Sequence, residues 1–153
     1  MKKSYKIGTW MLTNTPAGLD VISKSGFDFV CIDLEHSSIS YEDLNSLLII
    51  LDKNKVDSFV RVSSNNQTEI KKALDLGAKG IIVPMINNEA DAIKAVSYTY
   101  YPKKGQRGIG LSRAQGYGYN FKNYLKIANK IKLIFQIETV NAIQNLEKIL
   151  KVK

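Results

Sequence analysis

Two hydrophobic periods alternate along this chain, and no other feature constrains its fold as much. Short apolar or β-branched runs fall at about 6–11, 27–33, 57–62, 80–85 and 132–138. The segments between them have helical spacing. Leu44, Leu47, Leu48 and Leu51 repeat at i, i+3, i+4 and i+7, as do Phe121, Tyr124, Leu125 and Ala128. Ile143, Leu146 and Leu150 form a similar stripe near the end. The strand runs are continuously apolar rather than alternating, as in a parallel sheet. Repeated β-α units with short links imply right-handed crossovers and an α/β fold.

Local signals agree with those boundaries. Ser40 stands before Tyr41-Glu42-Asp43 as a capping-box-like helix start, and Asn66 stands three residues before Glu69 in another. Gly26 and Gly77 sit where helices should exit through a left-handed residue.

The chain has 153 residues, 44% hydrophobic and 24% charged, which suits one globular domain with a real core. We therefore expect a single domain over 1–153. The basic start, Met1 to Lys6, is not followed by an apolar stretch or a small-residue cleavage site. No apolar run approaches the roughly 20 residues needed to span a bilayer. The expectation is a cytoplasmic protein without a membrane partner. The single cysteine, Cys31, lies in an apolar run and reads as a buried, inert thiol.

The net charge of +8 raises the question of an anionic partner. The lysines are spread along helices and termini, without the interleaved aromatics of a single-strand-binding surface. A solvated basic surface is the better reading, so no nucleic acid is expected, and the same field favours an acidic small substrate.

Residues 102–119 break the rhythm with a long glycine-rich loop, and such loops are usually functional or disordered. Its Gly105-Gln-Arg-Gly-Ile-Gly stretch follows a helix rather than a strand, which argues against a dinucleotide or Walker loop. A substrate-facing loop carrying Arg107 is expected instead.

In parallel α/β folds the active site forms at the carboxyl ends of the strands. Here those ends carry Asp33-Leu34-Glu35-His36, Arg61, Val83-Pro84-Met85, and Gln136 with Glu138. Gln136 and Glu138 are two apart and so point to one face, away from Phe135 and Ile137; Arg61 opposes Val60 and Val62. A charge aimed inward must be paired, bound to metal or in contact with a ligand. Each residue has a second reading. His36 could be a hydrogen-bonded turn residue, Arg61 the ion-pair partner of a strand-end carboxylate, Glu138 a cap on the next helix, and Asp33 a turn or orienting residue. Their coincidence at one rim favours a functional site.

The ordered set of motifs resembles the HpcH/HpaI aldolases. It comprises Gly8-Thr9-Trp10, Gly26-Phe27-Asp28-Phe29-Val30-Cys31-Ile32-Asp33-Leu34-Glu35-His36, Val60-Arg61-Val62, Gly80-Ile81-Ile82-Val83-Pro84-Met85, Tyr101-Pro102, Gly105-Gln106-Arg107-Gly108-Ile109-Gly110 and Gln136-Ile137-Glu138-Thr139. The resemblance implies a (β/α)8 TIM-type barrel of about 250 residues, of which this chain carries about the first five strands and their helices. It implies a carbon–carbon lyase that cleaves or forms 4-hydroxy-2-oxo acids, with pyruvate as the oxo-acid half and an aldehyde as the other. It also implies a divalent cation, magnesium or manganese, with cobalt or zinc as alternatives. By the same resemblance, Glu138 is a metal ligand, Arg61 and Gln136 bind the oxo acid, Arg61 stabilises the enolate, and His36 with Asp33 handles the proton. A second ligand, an aspartate, is implied in a segment beyond Lys153.

Hard oxygen ligands suit magnesium or manganese, a cation suits the developing enolate, and a histidine suits proton transfer near neutral pH. Several readings of the chain stay open. It is a fragment of such an aldolase, one part of a split enzyme, or a non-catalytic remnant acting as an interaction module. A citrate-lyase-type acyl-CoA lyase is the other enzyme reading. Either a homo-oligomer or association with a completing C-terminal polypeptide is expected.

Overall fold

The computed structural model describes residues 5–152; Met1 to Ser4 of the basic start, and Lys153, lie outside them. Five strands alternate with helices: β1 (Gly8–Met11), α1 (Pro16–Lys24), β2 (Phe29–Asp33), α2 (Tyr41–Lys53), β3 (Asp57–Arg61) and α3 (Gln67–Asp75). They continue as β4 (Gly80–Val83), α4 (Glu89–Thr99), α5 (Phe121–Ala128), β5 (Lys132–Phe135), α6 (Val140–Gln144) and α7 (Leu146–Ile149). The strands form one parallel sheet in the order β1-β2-β3-β4-β5. All five expected strands are present. Sequential order, with the right-handed crossovers that parallel β-α units adopt as a rule, places the helices on one face, as the outer layer of a (β/α) barrel requires.

Strand parity decides which side chains meet those helices. Val30, Ile32, Val60, Ile81 and Val83 are fully buried with Leu19, Leu44, Leu47, Leu48, Leu51, Ile70, Ala73, Leu74, Ala92 and Ala95. The whole leucine stripe of α2 lies in this core. Removing such a buried leucine costs about 2–5 kcal/mol. The Ser40 capping box forms as expected, with Asp43 N–H donating to Ser40 Oγ and the Asp43 carboxylate accepting from Ser40 N–H. Asn66 caps α3 through the N–H groups of Thr68 and Glu69, but Glu69 turns away to accept from Ser63 and Ser64. Gly26 (φ +87°) and Gly77 (φ +100°) adopt the expected left-handed conformation.

The opposite face carries Trp10, Phe29, Cys31, Phe59, Ile82 and Ile134, which line a cavity of about 350 Å³. The Phe29 and Phe59 rings meet edge to face at 5.1 Å. Glycine makes room for each of them. A Cβ on Gly8 would stand 2.2 Å from the Phe29 ring, and one on Gly80 would stand 2.3 Å from the Phe59 ring. Cys31 is buried as expected, and burial pushes its thiol up to about 12.

Two expectations need correction. Arg107 does not face a substrate. It is buried with Nη2 donating to Asp75 Oδ1 at 2.6 Å and to the Tyr124 hydroxyl at 3.2 Å, and its guanidinium lies over the Tyr101 ring. Asp75 ends α3, at the end of the sheet where β4 begins, so the glycine-rich loop packs at the amino ends of the strands. The stripe at 143–150 also fails. Asn145 divides the segment into α6 and α7, which bury Ala142 and Ile149 and leave Ile143 and Leu150 exposed.

Candidate active site

The carboxyl end of β2 turns sharply after Asp33, and the Asp33 side chain organises that turn. Its Oδ1 accepts from the N–H of Glu35 at 3.0 Å and of His36 at 3.4 Å, while the Ser37 hydroxyl donates to its carbonyl. Asp33 is paired in register with Arg61 on the neighbouring strand. Arg61 Nε and Nη2 donate to the two Asp33 oxygens at 2.9 and 2.7 Å, a bidentate pair. Glu35 Oε2 lies 3.1 Å from Arg61 Nη1, and the guanidinium sits 4.7 Å from the centre of the Trp10 ring. Two carboxylates and an indole thus fix one guanidinium and leave N–H groups on Nη1 and Nη2 for another acceptor.

The electrostatics follow from that packing. Burial opposes ionisation of Asp33, but the hydrogen bonds from Arg61 and from the Glu35 and His36 amides outweigh it and hold the carboxyl below its ordinary range. The same pairing raises the already high Arg61 value. His36 projects from the rim with its ring largely exposed, and its Nε2 lies 3.8 Å from Glu35 Oε2. Asp33 therefore supports His36 through the backbone, whereas Glu35 is the carboxylate beside the ring.

A second group gathers after β4 and β5. Gln136 Nε2 donates to Glu138 Oε2 at 2.8 Å, and Met85 N–H donates to Glu138 Oε1 at 2.7 Å. The helix-cap alternative for Glu138 fails, because Thr139 Oγ1 accepts the Ala142 N–H and caps α6. Gln136 Oε1 is buried without a hydrogen-bond partner. A buried orphan acceptor is costly unless something else satisfies it. One strand, β4, separates Arg61 from the strand leading to Gln136, so the two groups stand roughly 10 Å apart at ordinary strand spacing. That gap suits a small oxo acid.

A charged carboxylate and an orphan amide oxygen are hard donors, and they fit an oxygen-preferring divalent ion. Among the described residues, no three histidine, cysteine, aspartate or glutamate side chains converge as a metal cluster. Glu138, with Gln136 beside it, is where such an ion would fit.

Sequence reasoning assigned no role to Trp10, Asn87 or Thr139. Trp10 shares strand parity with Gly8, on the face opposite the helices, and that alternation was the available signal. Asn87 lies in an ordinary polar loop with no pattern to mark it.

A parallel sheet in sequential order, helices on one face and polar groups at the carboxyl rim, defines the (β/α)-barrel class of fold. Comparison with known proteins makes this specific. The chain belongs to the HpcH/HpaI aldolase/citrate lyase family, whose model matches residues 6–153. It is 36% identical over 150 residues to a 2-dehydro-3,6-dideoxy-6-sulfogluconate aldolase of Pseudomonas putida, covering 97% of this chain and 58% of that protein. It is 34% identical to a 2-keto-3-deoxy-L-rhamnonate aldolase of Salmonella typhi, covering 99% of this chain and 58% of that one. The crystal structure of a family protein from Burkholderia cenocepacia J2315 superposes with a TM-score of 0.90 at 28% identity, covering 96% of this chain and 60% of that chain. The chain therefore spans somewhat over half the length of the relatives it matches. No helix among the described residues is long and apolar enough to cross a membrane.

Proposed function

We propose that this chain supplies the oxo-acid-binding half of a divalent-metal aldolase site that cleaves or forms 4-hydroxy-2-oxo acids, with pyruvate as the oxo-acid product. The observation that carries this reading is the pair of Gln136 and Glu138, with its orphan oxygen, facing the restrained Arg61 across β4. The names of the aldolase relatives support the reaction class.

Cleavage breaks the C3–C4 bond of the substrate. Its electron pair passes to C3 and the keto group as the enolate of pyruvate, and C4 becomes the aldehyde carbon as the 4-hydroxyl loses its proton. Arg61 presents its free N–H groups where negative charge collects on the keto oxygen, and it moves little because Asp33, Glu35 and Trp10 hold it. His36 stands at the open rim, where it takes the 4-hydroxyl proton directly or through water, with Glu35 Oε2 3.8 Å from its Nε2. Gln136 offers its amide to the bound acid. Glu138 and Gln136 Oε1 would hold magnesium or manganese, and a bound divalent ion supplies Lewis-acid polarisation of the keto group.

The remaining features fit this reading. The exposed Trp10 and Ile134 on the inner face call for cover, supplied by the later β/α units of a barrel or by a completing polypeptide. A cytoplasmic setting and assembly into oligomers belong to the same proposal. The test is a magnesium or manganese titration of the chain, alone and mixed with a polypeptide covering the remaining units of a relative, with pyruvate release from a 4-hydroxy-2-oxo acid as readout. Metal-dependent pyruvate in either case supports the proposal. Its absence in both leaves a non-catalytic remnant.

A further inference from the structure

Asn87 ties the loop after β4 to the loop after β5. Its Nδ2 donates to the Met85 carbonyl at 2.9 Å, and its Oδ1 accepts from the Thr139 hydroxyl. Its backbone is held as well, with the N–H donating to Asp91 Oδ2 at 3.2 Å and the carbonyl accepting from Asn145 Nδ2 at 3.2 Å. The side chain therefore spans from residue 85, whose amide grips Glu138, to residue 139, which follows Glu138 in the chain.

Met85 has φ +56°, in the left-handed region that residues with a Cβ seldom adopt. In this conformation its N–H meets Glu138 Oε1 at 2.7 Å. The Met85 side chain is half exposed, so side-chain packing does little to hold the backbone there. The hydrogen bond from Asn87 to the Met85 carbonyl does. A disfavoured backbone persists only where its surroundings over-determine it.

We propose that Asn87 is a positioning residue for the Glu138 carboxylate. It clamps Met85 in its left-handed conformation and anchors Thr139, so that Glu138 Oε1 is held before any ligand arrives, while Gln136 holds Oε2. This rests on the reading of Glu138 as an oxygen ligand of a divalent ion. Residues that orient a ligating group commonly contribute about 10- to 100-fold in metal affinity. The benefit comes from freezing the carboxylate in advance rather than at the moment of binding.

The test uses the 153-residue chain with manganese alone as probe, together with amide hydrogen exchange at Met85 in the absence of metal. Asn87→Ala should weaken manganese binding about tenfold or more and speed Met85 amide exchange. Adding Met85→Gly to Asn87→Ala should recover most of the affinity, because glycine adopts positive φ freely. A general loss of stability would not be repaired by that glycine. Unchanged manganese affinity and unchanged Met85 exchange in Asn87→Ala overturn the proposal. If Glu138→Gln binds manganese as tightly as the wild type, the ligand reading of Glu138 fails, and Met85 exchange alone then decides the role of Asn87.

Discussion

Asp33 and Arg61 face each other across β2 and β3, joined by two hydrogen bonds of 2.7 and 2.9 Å, with the Asp33 side chain 1% exposed and that of Arg61 13% exposed. This pair anchors the β2 turn and aims the guanidinium. Asp33→Asn removes one of the two carboxylates beside the largely buried Arg61 and should cost about 1.5–3 kcal/mol in urea or thermal unfolding.

The pair also sets an acid limit. The folded-state value of Asp33 lies below its unfolded value of about 3.9, so its contribution is fully present above that pH. It is lost progressively as pH falls toward the lower folded value. Between pH 5 and pH 3 the wild-type melting temperature should fall more steeply than that of Asp33→Asn. Parallel slopes would show that the pair carries no such linkage.

Arg107 should behave as a structural residue. Arg107→Ala removes the ion pair with Asp75 and the packing on Tyr101, and should destabilise the chain by about 3 kcal/mol. Any manganese binding at the proposed Glu138 site, at the other end of the sheet, should be unchanged at temperatures where the variant remains folded.

Gly80→Ala should cost about 1–3 kcal/mol, because the new methyl would meet the Phe59 ring at 2.3 Å and that ring is buried. Chemical denaturation measures this directly.

Cys31 is 1% exposed and its thiol is pushed up to about 12, so the native chain should resist thiol reagents at pH 8 and react only on unfolding. Fast labelling of the folded chain would contradict the packing of the inner face.

The alternation of periods makes the five strands and the α2 core legible in the sequence. Leu44, Leu47, Leu48 and Leu51 all lie in that core, because a covered parallel sheet demands such a stripe. The candidate rim was legible for the same reason: Asp33, Arg61, Gln136 and Glu138 stand at or just beyond strand ends. The location of Arg107 was not legible. A cation in a glycine-rich loop looks the same in sequence whether it meets a substrate or Asp75, and the choice is made by how the chain folds back on α3 and α5. The Asn87 clamp was hidden too, since it depends on two loops that are adjacent only in space. At 143–150 a helical spacing suggested a buried stripe, but Asn145 interrupted the helix and rotated the buried positions to Ala142 and Ile149.

The most direct test of the proposed site is exchange of the pyruvate methyl protons in deuterated water, followed by NMR with magnesium present. This half-reaction needs only removal of a methyl proton to give the enolate and its return as deuterium. The account predicts metal-dependent exchange above the protein-free control for the wild-type chain, alone or mixed with a polypeptide covering the remaining units of a relative, and its loss in Arg61→Lys and Glu138→Gln. No exchange by the wild type either alone or in that mixture, or equal exchange by Glu138→Gln, would contradict it.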